Sequence, residues 1–138
     1  MLSQLVYVSD RKATCTDAEM EKILSACKKN NPPLGITGVL LYSDKKFIQL
    51  VEGESAVITG LYDKIKLDPR HGKVMMISYG PIKEKSFPSW HMGARKIEGN
   101  MVDYKTDITA EDKLLFDKML TGKEENGARV LSILKKFF

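Results

Sequence analysis

Three polar side chains, Tyr7, Asn31 and Gln49, are the candidates for chemistry. Gln49 stands in the middle of Phe47-Ile48-Gln49-Leu50-Val51, an apolar run typical of a central buried strand. An unpaired buried amide costs about 1–3 kcal/mol, so Gln49 needs partners. Tyr7 lies in the first strand-like run, and a buried phenol also needs a partner. Because an amide both donates and accepts hydrogen bonds, Gln49 can serve Tyr7.

Each candidate also has a purely structural interpretation. Gln49 can be a core glutamine whose amide is satisfied by neighbouring backbone. Asn31 belongs to Asn30-Asn31-Pro32-Pro33, where asparagine tolerates left-handed backbone and proline halts a helix. Tyr7 can be an ordinary core aromatic. The elements that position these residues decide between the interpretations.

The first elements are a strand and a helix. Leu2–Ser9 is rich in apolar and β-branched residues and predicts a strand. Thr16-Asp17-Ala18-Glu19 matches a capping box, which predicts that a helix begins there. The helix continues with an apolar stripe, and we expect Lys28-Lys29 to close its last turn and Pro32-Pro33 to prevent continuation. The stripe has helical spacing and consists of Met20, Ile23, Leu24 and Cys27.

The remaining elements follow in regular order. Ile36–Tyr42 and Lys46–Glu52 predict a hairpin. A second helix starts near Ser55 and ends at Asp68-Pro69. Two further strands are predicted at Val74–Tyr79 and Trp90–Ile97.

The predicted fold is α+β, with the ferredoxin-like order β-α-β-β-α-β-β and a five-stranded mixed sheet. Two helices should cover one face of that sheet. Amphipathic segments around Leu114–Leu120 and Val130–Phe138 predict a C-terminal helical hairpin on the other face. We therefore divide the chain into a ligand-binding domain, residues 1–97, and a C-terminal extension, residues 98–138.

This arrangement predicts a slot beside Tyr7 and Gln49. The first and third strands are usually central neighbours in this order, so both side chains can face the helices. Ile23 and Ile65 point inward from the two helices and can sandwich a flat ring. Apolar walls with an amide-lined edge suit an isoalloxazine ring better than a metal or a phosphate.

Composition narrows the classes of protein. The 138 residues fit one domain, and no apolar run approaches the roughly 18 residues of a membrane span. The net charge of +4 is spread along the chain, so we expect no direct nucleic-acid binding. With two cysteines and no secretory signal pattern, a reduced cytoplasmic location is expected. His71, His91 and the cysteines lack the spacing of a zinc site.

Five fragments in this order resemble the blue-light-using-flavin (BLUF) photoreceptor domain. The resemblance covers about Leu2 to Ile97. The fragments are Leu5-Val6-Tyr7-Val8-Ser9, Asn30-Asn31-Pro32-Pro33-Leu34-Gly35-Ile36-Thr37-Gly38-Val39-Leu40, Phe47-Ile48-Gln49-Leu50-Val51-Glu52-Gly53-Glu54, Asp68-Pro69-Arg70-His71 and Phe87-Pro88-Ser89-Trp90-His91-Met92.

The resemblance implies a role for each site residue. Tyr7 would give an electron and a proton to excited flavin, and Gln49 would then change its orientation or tautomer. Asn31 would hold the polar edge of the ring, with Asn30 along the ring. The remaining implied roles are walls at Ile23 and Ile65, a pyrimidine and ribityl border at Lys64, Asp68, Arg70 and His71, and a relay at Trp90 and Met92.

The resemblance implies noncovalently bound FAD, with FMN or riboflavin as substitutes, and no enzyme activity. Output would pass to a separate signalling protein, and we expect a homo-oligomer. The alternative is a ferredoxin-like hydrolase of acylphosphatase type, with Arg11 binding phosphate and Asn31 positioning water. A structural adaptor with an empty pocket is a third interpretation.

Overall fold

A computed structural model describes residues 1–85 of the chain and the strand at 93–96. Its elements are β1 (Leu2–Arg11), α1 (Asp17–Leu34), β2 (Thr37–Tyr42), β3 (Lys46–Glu54), α2 (Ser55–Leu67), β4 (His71–Pro81) and β5 (Gly93–Lys96). The predicted α+β class is confirmed. The C-terminal hairpin predicted within 98–138 lies outside the described residues, as do the parts of the strand Trp90–Ile97 on either side of β5.

The sheet has the order β4-β1-β3-β2-β5. β1 is antiparallel to both β3 and β4, and β2 is antiparallel to β3, which forms an antiparallel sheet of four strands. β5 runs parallel to β2 at the edge. The first and third strands are adjacent, as predicted, and their register places Tyr7 directly opposite Gln49.

Helix α1 begins as the sequence predicts but ends later. The Thr16 hydroxyl accepts a hydrogen bond from the Glu19 amide at 3.3 Å, as an N-cap does. The helix then continues through Pro32-Pro33 to Leu34, so the predicted stop at the prolines is wrong, and Lys28-Lys29 do not form the last turn. Both prolines are exposed, and we attribute the tolerance to solvent, which can hydrogen-bond the carbonyl groups that proline leaves without an amide partner.

The end of α1 is set by Gly35. Its φ of +68° is left-handed, a conformation that glycine adopts without steric cost. The Gly35 amide donates to the Pro32 carbonyl at 3.1 Å, and the Ile36 amide donates to the Asn31 carbonyl at 3.0 Å. These two bonds form a Schellman motif, which satisfies the last carbonyls and turns the chain into β2.

Successive side chains along each strand point to opposite faces of the sheet. On the face that we call the front, α1 and α2 pack against the sheet through a buried apolar cluster, as predicted. That cluster includes Leu5, Tyr7, Met20, Leu40, Phe47, Val51, Ile58 and Tyr62. On the opposite face, the back, the alternate residues Val6, Val8, Val39, Leu41, Ile48 and Leu50 are buried as well.

Candidate functional site

The centre of the site is a hydrogen bond between two strands. The Tyr7 hydroxyl donates to Gln49 Oε1 at 2.5 Å, and both side chains are buried. The bond forms because the antiparallel register of β1 and β3 pairs these two residues on the front face. Gln49 is therefore not an isolated core amide, since it accepts the proton of a buried phenol.

A cavity opens beside this pair, between α1, α2 and the sheet. Including the open solvent at its mouth, it has a volume of about 680 Å³. We call it the slot. Its lining consists of Tyr7, Ile23, Ala26, Cys27, Asn31, Leu40, Phe47, Gln49, Leu61, Lys64, Ile65, Asp68, Arg70 and His71.

Most residues that the sequence nominated lie in this lining, on five different elements and one loop. Asn30 does not: it is exposed, and it is absent from the lining. Trp90 and Met92 lie outside the described residues. The structure therefore brings together Tyr7, Ile23, Asn31, Gln49, Lys64, Ile65, Asp68, Arg70 and His71.

Sequence reasoning missed five lining residues, although each had a detectable signal. Ala26 and Cys27 follow Ile23 at helical spacing, and Leu61 precedes Ile65 by one turn. Phe47 lies two residues before Gln49 on β3, and Leu40 on β2 pairs directly with Gln49. The apolar stripes were recognised as core, but stripe position alone does not show which members border a cavity.

Burial keeps the phenol of Tyr7 protonated. Desolvation is the largest cause that raises its pKa far above the usual value near 10, and the neighbouring Cys27, Asp68 and Tyr62 act in the same direction. The ring of Tyr62 lies 5.8 Å from the ring of Tyr7. In the resting protein, Tyr7 is therefore a neutral hydrogen-bond donor.

The mouth of the slot carries an ion pair. Arg70 Nη2 donates to Asp68 Oδ2 at 2.6 Å and Arg70 Nε donates to Oδ1 at 3.0 Å, a bidentate contact. These hydrogen bonds hold the pKa of Asp68 below its usual value. Arg70 also lies 3.8 Å from Glu19 on α1, so the pair connects the two sides of the mouth. Lys64 is exposed there and forms no ion pair with the described residues.

His71 closes the slot beside Tyr7. Its Nδ1 lies 2.8 Å from the Ser9 hydroxyl, and its ring lies 4.5 Å from the ring of Phe47 and 6.1 Å from that of Tyr7. Burial is the largest cause that lowers its pKa to about 4; Arg70 adds to this and Asp68 opposes it. His71 is thus neutral at neutral pH and does not place a positive charge beside the phenol.

Asn31 and Cys27 lie one turn apart on α1. Asn31 is buried, and its side chain hydrogen-bonds the Cys27 thiol, which lowers the pKa of that thiol. Burial is the larger influence, and it raises the pKa of Cys27 above its usual value. The thiol therefore stays protonated, and this wall of the slot is uncharged.

Arg11 has a structural role. Its Nε donates to the Cys15 carbonyl at 2.8 Å and its Nη1 to the Ser43 carbonyl at 3.1 Å, while Nη2 pairs with Asp17 at 3.2 Å. It does not line the slot. The hydrolase interpretation required Arg11 to bind phosphate near Asn31, and these contacts occupy its guanidinium elsewhere.

The slot fits a flat heteroaromatic ring with one polar edge. Ile23 and Ile65 border it from opposite helices, and Gln49 and Asn31 supply amide groups. Among the described residues, no group of three or more His, Cys, Asp or Glu side chains could hold a metal ion. In the same part of the chain, no helix is both long enough and apolar enough to cross a bilayer.

Comparison with known proteins agrees with this geometry. The family described as "Sensors of blue-light using FAD", the BLUF family, matches residues 2–93. This chain belongs to the BLUF family of blue-light flavin photoreceptors. The family resemblance seen in the sequence is confirmed, and the family consists of sensors, which sets the hydrolase interpretation aside.

Solved structures of similar proteins cover almost the whole chain. It is similar to BlsA in a photo-activated state, with 27% identity, a TM-score of 0.76, and 99% of this chain and 94% of that chain covered. It is also similar to the dark state of BlrB, a BLUF protein, with 27% identity, a TM-score of 0.73, and 96% and 91% covered.

Curated relatives are longer proteins. The chain is 34% identical to the β subunit of a photoactivated adenylate cyclase from Euglena longa over 88 residues, which are 64% of this chain and 10% of that protein. It is 29% identical to a blue light- and temperature-regulated antirepressor of Escherichia coli K12, over 60% of this chain and 21% of that protein. The chain thus spans about a tenth of the cyclase subunit that it matches.

Proposed function

We propose that this protein binds FAD in the slot and converts blue light into a rearrangement of the Tyr7–Gln49 hydrogen bond. The observation that carries the proposal is the 2.5 Å bond between the Tyr7 hydroxyl and Gln49 Oε1 at the edge of an apolar cavity. Bound flavin would supply the absorption of blue light and an excited state that accepts an electron. The residues of this chain do the rest.

Tyr7 is the electron and proton donor in this proposal. Its buried phenol is neutral, and its proton already points at Gln49 Oε1. A proton that leaves Tyr7 Oη therefore has an acceptor within hydrogen-bond distance.

Gln49 is the switch. Its oxygen and nitrogen ends are similar in shape but opposite in hydrogen bonding. While Oε1 faces Tyr7 the phenol donates, and if Nε2 or a tautomeric group faced it the phenol would accept. Tyr7 and Gln49 are hydrogen-bonded in both states. A group that contacts the other end of the Gln49 amide would face a donor in one state and an acceptor in the other. Asn31 holds the polar edge of the ring while Gln49 changes.

FAD is the proposed cofactor because the slot continues into an open groove at its mouth. That groove is lined by Glu19, Lys64, Leu67, Asp68, Pro69 and Arg70. Arg70 is held by Asp68, so Lys64 is the cation left for a phosphate. FMN and riboflavin fit the same ring site, and a solved structure of the similar Klebsiella pneumoniae protein BlrP1 carries FMN.

The output is proposed to leave through the strand around Trp90 and Met92 into the C-terminal extension, residues 98–138. Light can shift an equilibrium there only through a contact that differs between the two states. That extension, or a homo-oligomer surface beside it, would meet a separate signalling protein in the cytoplasm. BlrB and BlsA are similar to this chain over more than nine-tenths of their own chains, so the comparison with them includes the region of the extension.

The decisive experiment is an absorption spectrum of the purified protein before and after blue light. We expect a bound flavin and a small, reversible red shift. Gln49→Leu should keep the flavin and lose the shift. Gln4→Leu is the matched control, because Gln4 is the chain's other glutamine and faces the back of the sheet. A Gln49→Leu protein that photocycles like the parent would refute the mechanism.

The cofactor is tested with Lys64→Gln. This variant should release FMN and FAD several-fold faster, because it removes a cation from the phosphates, and it should leave riboflavin affinity unchanged. Lys66→Gln, two residues along α2, is the control, since Lys66 pairs with Asp63 at 3.2 Å and does not line the slot. An equal effect on riboflavin would show that Lys64 does not meet the phosphate.

The output route is tested by hydrogen exchange in dark and illuminated samples. Altered exchange in residues 90–138 would support the route. Changes confined to the lining of the slot would exclude it.

A further inference from the structure

Two exposed apolar residues lie at the mouth of the slot, where the chain passes from α2 to β4. Leu67, the last residue of α2, is 85% exposed, and Pro69 is exposed as well. We call these two residues the platform. Both line the open groove, which shares Lys64, Asp68 and Arg70 with the slot. Because the groove and the slot are continuous, a long ligand held in the slot can extend onto the platform.

The backbone of the platform is held in a tight turn. The Asp68 carboxylate accepts hydrogen bonds from the Arg70 backbone amide at 2.9 Å and from the Arg70 guanidinium at 2.6 Å. The His71 amide donates to the Asp68 carbonyl at 3.1 Å. This turn encloses Pro69, whose ring restricts its own φ. A surface that is already ordered loses little conformational freedom when a ligand covers it.

The charges around the groove favour an uncharged ring on the platform. The Arg70 guanidinium is paired with Asp68 on one side and lies 3.8 Å from the Glu19 carboxylate on the other, and its side chain remains 31% exposed. Lys64 forms no ion pair with the described residues, so it is the cation available to the phosphates of a ligand. The rest of the groove suits a flat ring, because such a ring packs on aliphatic side chains and stacks on the face of a guanidinium.

We propose that the platform binds the adenine ring of FAD and makes this receptor select FAD over FMN. The inference rests on the proposed function, since the isoalloxazine ring must occupy the slot for the adenosine end to reach the groove. Riboflavin ends before the phosphate, FMN ends at it, and only FAD carries an aromatic base beyond it. Lys64 therefore distinguishes FMN from riboflavin, and the platform distinguishes FAD from FMN.

Tethering makes a small contact sufficient. The isoalloxazine ring holds the base close to the groove, so the base binds at a high effective concentration and no separate affinity for adenosine is needed. Covering part of an exposed leucine and an exposed proline removes apolar area from water. We expect this burial to make FAD bind about tenfold more tightly than FMN.

The test is calorimetric titration of the full-chain apoprotein with FAD, FMN and riboflavin in the dark. Leu67→Ser should weaken FAD binding about three- to fivefold, because it removes apolar area from the platform, and it should leave FMN and riboflavin affinity unchanged. Leu34→Ser is the matched control, since Leu34 is the last residue of α1, is 50% exposed, and lines neither the slot nor the groove. It should change none of the three affinities. No loss of FAD affinity in Leu67→Ser, or an equal loss for FAD and FMN, would overturn the proposal.

Methyl NMR of the parent protein gives a readout that is independent of affinity and needs no variant to fold. An aromatic ring stacked on a methyl group moves the proton signal of that group upfield. The Leu67 methyl signals should therefore lie upfield in the FAD complex relative to the FMN complex, whereas those of Leu34 should coincide. Identical Leu67 signals in the two complexes would also overturn the proposal.

The same titrations separate this inference from the proposed function. If none of the three flavins binds, the proposed function itself fails. If FAD and FMN bind equally well and Leu67→Ser has no effect, the flavin site stands and only the role of the platform is wrong.

Discussion

The front and back faces of the sheet are made from the same strands, but the front borders a cavity and the back forms a buried apolar surface. On the front, Tyr7, Gln49 and Leu40 border a cavity that the two helices leave open. On the back, Val6, Leu50 and Val39 form the corresponding row across β1, β3 and β2, and all are 0% exposed. The strands alone do not make a ligand site. The site arises where the covering helices leave room beside polar groups.

The comparison predicts that changes on the front remove function and changes on the back remove stability. The largest effect is expected for Tyr7→Phe. It deletes the donor to Gln49 Oε1, so the light-induced red shift should disappear completely. The free energy of unfolding should fall by only about 1–3 kcal/mol. Absorption spectra and urea unfolding test both parts.

Tyr62→Phe is the control for that variant. It removes a second phenol, whose ring lies 5.8 Å from the ring of Tyr7, without touching the Gln49 bond. Loss of the red shift in Tyr62→Phe as well would mean that the response is not specific to Tyr7.

A back-face change should have the opposite profile. Leu50→Ala removes a fully buried side chain next to Gln49 in sequence and should lower the free energy of unfolding by about 2–5 kcal/mol. Its red shift should persist at temperatures where the protein is folded. A lost red shift in folded Leu50→Ala would break the division between the faces, because the back would then contribute to the photochemistry.

A smaller effect is expected at the polar edge of the slot. Asn31→Ala should weaken flavin binding about fivefold, since it removes a hydrogen bond worth roughly 1 kcal/mol. Flavin titration followed by fluorescence measures this. Asn30→Ala, at the exposed neighbour outside the lining, should have less effect. Equal losses would place Asn30 on the ring, as the family resemblance implies.

The smallest effect concerns pH and belongs to the front face. His71 has a folded-state pKa lowered to about 4 by burial, against about 6.5 in an unfolded chain. The unfolded state therefore binds the extra proton first, so stability is fully present above pH 6.5 and falls as the pH drops toward 4. Thermal unfolding between pH 7 and 4 should show this loss in the parent and less of it in His71→Gln.

Asp68 affects stability in a separate, lower pH range. Its pKa is lowered by the Arg70 hydrogen bonds, so its contribution is present above the unfolded-state value near 3.8 and is lost below it. A pH dependence between 6.5 and 4 that is the same in the parent and His71→Gln would contradict the assignment to His71.

Local patterns in the sequence predicted the elements well. The capping box predicted the start of α1 at Asp17, helical spacing located α2, and runs of apolar and β-branched residues located the first four strands. The end of α1 was missed because proline rules describe the interior of a helix. In the last turn the left-handed Gly35 decided the end instead.

The sequence by itself determined which residues carry polar groups in apolar surroundings: Tyr7, Gln49 and Asn31. Side-chain chemistry and local periodicity are properties of neighbours in the chain, so they can be derived without a fold. The tertiary structure decided that Tyr7 and Gln49 are bonded, that Cys27 and Phe47 border the slot, and that Arg11 does not. Those facts depend on strand register and on the space between helices and sheet, which are set by contacts between residues distant in sequence.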